Sequence, residues 1–122
     1  MEDIRVLLVD DEEEFTSALA ERLNLRGIRT STSCRGEEAL KMIESDPPQV
    51  VVLDMKMPGL SGKEILVRIR SAHPEIGVIL LTGQSPTGLE LSGSDPEFCD
   101  YLMKPVNIEE LIKKIRSAVV TR

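Results

Sequence analysis

Residues 50–54 read Val-Val-Val-Leu-Asp, four apolar residues in succession that end in a carboxylate. A run this short and this uniformly apolar is typical of a strand that is buried on both faces of a parallel sheet. Val78–Leu81 repeats the pattern and is followed by Thr82, and Ile4–Val9 is followed by Asp10. These three segments predict the centre of a covered sheet, with a polar residue at the end of each strand.

The segments between these strands show helical spacing of their apolar residues. Strands that alternate with helices predict an α/β fold, with a parallel sheet covered by helices on both faces. Ser61 with Glu64 and Asn107 with Glu110 have the spacing of helix N-terminal caps. The remaining predicted elements are helices at Glu12–Arg26, Gly36–Ser45, after Ser61 and after Asn107, an edge strand at Ile28–Ser33, a loop at Asp54–Leu60 and a strand at Cys99–Met103.

The segment Ser85–Glu97 does not fit this alternation. It holds two prolines and two glycines, and its large apolar residues Leu89 and Leu91 are two apart, so they cannot share one helical face. We therefore expect a loop or a single turn here instead of a regular three-turn helix.

Length and charge limit the class of protein. The 122 residues suit one domain, taken as 1–122, and a net charge of −6 argues against direct contact with nucleic acid. The apolar runs are too short to span a membrane, and the N-terminus does not resemble a signal peptide. We expect a cytoplasmic protein in which Cys34 and Cys99 are free thiols.

Polar side chains follow four of the predicted strands. Asp10 and Asp11 follow the first strand, Asp54 the third, Thr82 the fourth and Lys104 the fifth. Parallel strands end at the same edge of a sheet, where ligands of such folds bind. The fold should therefore bring three carboxylates, a hydroxyl and an ammonium together.

Each of these residues also has a simpler interpretation. Acids at a helix start interact well with the helix dipole, which accounts for the first-turn acids Glu12–Glu14. Asp54 precedes a loop that contains Pro58-Gly59, and its side chain could simply stabilise a turn there. Thr82 could be an ordinary threonine at the end of a strand. However, two carboxylates about 4 Å apart repel by about 4 kcal/mol at a surface-like dielectric, so a crowded trio needs a cation. Oxygen ligands in small number favour Mg²⁺, beside which Asp54 would be a nucleophile toward phosphorus.

Four motifs, in this order, are similar to those of the bacterial response-regulator receiver domain. They are LLVDDEEEF at 7–15, VVLDMKMPGLSG at 51–62, VILLTG at 78–83 and DYLMKP at 100–105. The resemblance extends over essentially the whole chain. It implies a flavodoxin-like sheet of five parallel strands in the order 2-1-3-4-5 with five helices, of which we expect the fourth to be short or irregular.

The resemblance also implies a role for each matching residue. Asp54 would be the phosphoacceptor and would bind Mg²⁺ together with Asp11 and the backbone carbonyl of Lys56. Asp10 would bind the ion through water, and Lys104 would hold the phosphoryl group.

A switch pair and several partners are implied as well. Thr82 and Tyr101 would form the switch pair, and the peptide bond before Pro105 would be cis. The implied partners are a histidine kinase or phosphotransfer protein, a downstream effector domain or protein, and a second copy of the chain after phosphorylation. The domain would catalyse only its own phosphorylation and dephosphorylation.

Other classes of protein fit the sequence less well. Phosphatases that use an aspartyl phosphate need a second acid two residues after the nucleophile, and that position is Lys56. A flavodoxin-like nucleotide-binding protein needs a phosphate-binding loop rich in Gly, Ser and Thr after the first strand, where the five acids Asp10–Glu14 would repel phosphate. A degenerate receiver that only docks proteins would not need every reactive position filled. In the receiver family, the side chains at the positions of Lys56 and Gln84 flank the path of the hydrolytic water, so the resemblance implies that these two residues tune the lifetime of the phosphoryl group. A stand-alone receiver and an excised fragment are equally compatible with the sequence.

Overall fold

A computed structural model of the chain describes residues 3–54, 62–82 and 100–119. Within them each predicted strand and helix is present, with ends that differ by no more than one residue. The elements are β1 Arg5–Val9, α1 Glu13–Leu25, β2 Arg29–Ser33, α2 Gly36–Ser45, β3 Val50–Asp54, α3 Gly62–Ala72, β4 Gly77–Thr82, β5 Asp100–Met103 and α4 Ile108–Ala118.

The strands form one parallel sheet in the order β2-β1-β3-β4-β5, as expected. Val9 of β1 pairs with Leu53 of β3, and Asp54 pairs with Leu81 of β4. Thr82 in turn pairs with Met103 of β5. This register sets the last residues of the strands side by side at one edge of the sheet.

Successive side chains of β1 enter different cores because strand residues alternate between the two faces of a sheet. Val6 and Leu8 pack with apolar residues of α1 and α4, whereas Leu7 and Val9 pack with those of α2 and α3. Helices therefore cover both faces, as predicted. All the side chains of β3 and β4 are buried, which explains their uninterrupted apolar sequence.

Helix ends follow the local signals of the sequence. Gly27, just past α1, has φ +85°, a conformation that glycine adopts without strain. Asn107 caps α4, because its side-chain oxygen accepts a hydrogen bond of 3.0 Å from the Glu110 backbone N–H. This confirms the cap that the sequence predicts at Asn107.

Several predictions fall outside the described residues. They are the predicted loop after Asp54, the predicted helix cap at Ser61, the metal-binding role of the Lys56 carbonyl, the free thiol of Cys99, and the prediction that Ser85–Glu97 does not form a regular helix. The described residues contain four helices. None of the helices in this part of the chain is long and apolar enough to span a membrane.

Candidate functional site

Three carboxylates meet at the sheet edge where the strands end. Asp10 follows β1 directly, Asp11 comes next, and Asp54 is the last residue of β3. One carboxylate oxygen from each residue lies within 4.8 Å of the other two. The structure thus brings together the three acids that strand ends and spacing predicted.

The three carboxylates differ in their exposure. Asp10 is 1% exposed and Asp54 is 5% exposed, whereas Asp11 lies open to solvent. The Asp10 Oδ1 accepts a 3.0 Å hydrogen bond from the Glu12 backbone N–H. Burial of a charged carboxylate is costly unless hydrogen bonds or a cation compensate it. The two buried acids therefore need positive charge nearby.

Lys104 supplies that charge from the end of β5. Its Nζ lies 3.0 Å from Asp10 Oδ2 and 3.7 Å from Asp54 Oδ2. The backbone N–H of Lys104 donates to the Thr82 carbonyl at 2.8 Å, which fixes the chain beside β4. The peptide bond from Lys104 to Pro105 is cis, as the resemblance implied.

The surroundings of Lys104 keep it charged. Partial burial of the ammonium works to lower its pKa, but this effect is outweighed. Close contacts with Asp10 and Glu12, together with the charge of Asp54, raise the pKa of Lys104 above its ordinary value. The ammonium therefore persists throughout the neutral pH range and offsets part of the acidic charge.

One ammonium does not satisfy all the oxygens of the carboxylate cluster. Asp10 Oδ2 is buried and forms an ion pair with Lys104, but among the described residues no donor meets it with hydrogen-bond geometry. Three carboxylate oxygens at this spacing are a donor set that hard cations prefer. The cluster of Asp10, Asp11 and Asp54 could hold a metal ion.

The two residues expected to form a switch pair lie on neighbouring strands. Thr82 ends β4 and is buried, one position beyond the partner of Asp54 in the strand register. Tyr101 of β5 is 36% exposed, and the Lys114 ammonium lies 6.0 Å from its ring centroid. Thr82 thus lies inside the protein on the strand next to Asp54, and Tyr101 lies at the surface on the strand beyond it.

The structure adds two contacts that sequence reasoning missed. Helix-dipole interaction alone was expected to account for Glu12, but its Oε1 also lies 3.1 Å from Lys104 Nζ. The Phe15 ring lies under the same ammonium, 5.2 Å from its centroid to Nζ. Glu12 and Lys104 are 92 residues apart, so no local spacing signals this pair.

The cysteine in the described part of the chain lies near this acidic edge. Cys34 follows β2 and is a free thiol, as expected. Burial raises the pKa of this thiol, and the nearby carboxylates of Glu13 and Glu38 add to the effect. Cys34 is therefore less ionised near neutral pH than an ordinary thiol.

Comparison with known proteins identifies relatives of the whole described fold. The response regulator receiver domain family matches residues 6–116. The response regulator MprA of Mycolicibacterium vanbaalenii is 35% identical over 114 residues, which cover 93% of this chain and 49% of that protein. MprA of Mycobacterium tuberculosis strain CDC 1551 / Oshkosh is 34% identical, with 93% and 50% covered. The chain spans about half the length of these relatives.

Solved structures show the same similarity in three dimensions. The receiver domain of the Francisella response regulator 1452 has a TM-score of 0.86 and 30% identity, with 96% of this chain and 97% of that chain covered. The receiver domain of NtrX from Brucella abortus has a TM-score of 0.86 and 29% identity, with 96% and 99% covered. The match therefore extends over nearly the full length of both receivers.

Proposed function

Because the chain belongs to the response regulator receiver domain family, we propose that Asp54 is its phosphoacceptor in two-component signalling. The observation that carries the proposal is the cluster itself. Two further carboxylates lie within 4.8 Å of Asp54, and the Lys104 ammonium lies 3.7 Å from its Oδ2. A carboxylate beside a cation-binding cluster is suited to attack phosphorus.

The reaction is a transfer of the phosphoryl group from a phosphohistidine of the kinase. An oxygen of Asp54 attacks phosphorus and forms a new P–O bond, which creates an acyl phosphate. The P–N bond breaks, and its electron pair leaves with the imidazole, which takes up a proton from solvent. Later attack of water on phosphorus breaks the new P–O bond and returns the carboxylate. The chain would thus catalyse its own phosphorylation and dephosphorylation.

The cluster would hold Mg²⁺ during this transfer. Its donors would be Asp11 and Asp54, with Asp10 acting through a water molecule and with the backbone carbonyl of Lys56, which lies outside the described residues. The bound ion would neutralise charge on the phosphoryl oxygens. The three carboxylate oxygens within 4.8 Å of one another, a donor set made only of oxygen, support this assignment.

Lys104 and Thr82 would bind the phosphoryl group once it is attached. The ammonium of Lys104 already faces Asp54, and its charge would offset that of the phosphoryl oxygens. Thr82 at the end of β4 would donate its hydroxyl to the group and report its arrival. Tyr101, on the next strand, would change position with Thr82 and pass the signal to the surface.

The partners follow from this role. A histidine kinase or phosphotransfer protein would deliver the phosphoryl group, in the cytoplasm, to a domain formed by residues 1–122. A downstream effector domain or protein, or a second copy of the chain, would then recognise the phosphorylated state. The longer relatives are consistent with an effector region, since this chain spans only about half of their length.

The test is phosphorylation by acetyl phosphate with Mg²⁺, followed by intact mass. We expect the wild-type chain to gain about 80 Da, the mass of one phosphoryl group, and Asp54→Asn to gain none, because the amide cannot attack phosphorus. Asp46→Asn is the matched control, since Asp46 is an exposed acid that pairs with Arg5. It should be labelled like wild type.

Two results would contradict this assignment. One is full labelling of Asp54→Asn, and the other is equal labelling of the wild-type chain in excess EDTA.

A further inference from the structure

The start of α1 holds the Lys104 ammonium by two contacts that the phosphoryl-transfer chemistry does not use. Glu12 Oε1 lies 3.1 Å from Lys104 Nζ, and the Phe15 ring centroid lies 5.2 Å from it. Asp54 Oδ2 is farther away, at 3.7 Å. The ammonium is therefore held closer to Glu12 than to the carboxylate it would serve.

We propose that Glu12 is a positioning residue that holds Lys104 at the start of α1 and competes with the phosphoryl group for its ammonium. This inference rests on the proposed function and names a residue that sets the rate of phosphoryl uptake. Glu12 would influence the reaction only through its contact with Lys104 and would not touch the reacting atoms.

The geometry explains how the competition arises. An ammonium has only three N–H donors, and Lys104 Nζ already lies within ion-pair distance of three carboxylates, those of Asp10, Glu12 and Asp54. An incoming phosphoryl group brings several more acceptor oxygens and needs the ammonium closer to Asp54. As Asp10 is buried, its ion pair has little freedom to open. The contact between Glu12 and Lys104 is therefore the one that can open.

Exposure makes the Glu12 contact weak enough to act as a reversible restraint. The Glu12 side chain is 63% exposed, and ion pairs of exposed groups are worth little because water and salt screen them. Loss of the contact should therefore change the rate of uptake moderately, by about two- to five-fold, instead of abolishing it. The direction is an increase, because a released ammonium can move toward the phosphoryl group.

Two variants separate the contact from the charge. Glu12→Gln removes the charge, whereas Glu12→Asp keeps the charge but shortens the side chain by one methylene and breaks the 3.1 Å contact. Glu14→Gln is the matched control, since Glu14 is an exposed first-turn acid of the same helix. The measured quantity is the initial rate of mass gain with acetyl phosphate and Mg²⁺ at low ionic strength.

We expect Glu12→Gln and Glu12→Asp to be phosphorylated about two- to five-fold faster than wild type, with Glu14→Gln close to wild type. If neither Glu12 variant exceeds the Glu14→Gln control, the proposal is wrong. If only Glu12→Gln is faster, charge repulsion of the donor explains the effect, and the positioning role is likewise wrong.

A second readout does not depend on phosphorylation. The ammonium signal of Lys104 in proton–nitrogen correlation spectra, assigned by its loss in Lys104→Arg, should shift in both Glu12 variants and stay in place in Glu14→Gln. An unshifted signal would overturn the positioning role. If the wild-type chain takes up no phosphoryl group while the signal shifts, the proposed function fails and the contact between Glu12 and Lys104 stands.

Discussion

Asp11 differs from the two acids it clusters with, because it is exposed whereas Asp10 and Asp54 are buried. Lys104 approaches the buried pair with distances of 3.0 and 3.7 Å. Asp11 is the member of the cluster that a hydrated ion can reach first. It should therefore contribute direct metal ligation with little structural cost to the fold.

Asp11→Ala should weaken Mg²⁺ binding far more than Glu13→Ala does. Asp11 lies in the carboxylate cluster, whereas Glu13 is an exposed acid of the first turn of α1. Loss of a residue that only orients a metal ligand typically lowers metal affinity by about ten-fold or more. Removal of a direct carboxylate ligand should lower the affinity for Mg²⁺ by at least that factor. Calorimetric titration with MgCl₂ measures the difference, and equal affinities of the two variants would mean that the metal site lies elsewhere.

At the scale of elements, α4 rests directly on the start of β4. A Cβ added at Gly77 would come 2.5 Å from the Ala118 carbonyl oxygen and 2.9 Å from the Ala118 Cβ. Such distances are shorter than van der Waals contact, so the strand and the helix end would have to separate. Gly77 is therefore required by the close approach of β4 and α4.

Gly77→Ala should destabilise the fold by about 1–3 kcal/mol, the usual range for overpacking a core. Unfolding in urea, followed by circular dichroism, gives the change in the free energy of unfolding. Ser17→Ala, at an exposed position of α1, is the control and should change stability by less than about 0.5 kcal/mol. An unchanged midpoint for Gly77→Ala would show that α4 yields without cost.

At the scale of the whole molecule, the repulsion among the three carboxylates, which Lys104 offsets only in part, opposes folding. Asp10 and Asp54 are buried near each other, and Asp11 lies within 4.8 Å of both. Like charges this close repel, and in the unfolded chain they separate. A cation that binds the cluster should stabilise the fold as a whole, because binding to the native state alone shifts the folding equilibrium.

Mg²⁺ at ten times its dissociation constant should add about 1.4 kcal/mol to the free energy of unfolding. For a domain of this size we expect Tm to rise by about 3–8 °C. Asp54→Asn should be more stable than wild type without Mg²⁺ and should gain less from it. Asp46→Asn, which changes an exposed acid, should respond to Mg²⁺ like wild type. An undiminished Tm increase in Asp54→Asn would place the ion elsewhere.

The sequence by itself determined the sheet, its covering helices and the candidate site at its edge. Uninterrupted apolar runs such as Val78–Leu81 identify strands buried on both faces, and in a parallel sheet all strands end at the same edge. Asp10, Asp54 and Lys104 could be placed together for that reason alone. The order of the strands came from resemblance to a family, because local patterns do not encode which strands are neighbours.

Only the tertiary structure decided how the side chains share their charges. Asp10 and Asp11 are adjacent in sequence and identical in type, yet one is buried and the other exposed, because the chain turns from β1 into α1 between them. The pairing of Glu12 with Lys104 depends on the reach of two long side chains across 92 residues. Local spacing specifies helices and strands, whereas such contacts depend on distances that exist only after the elements have packed.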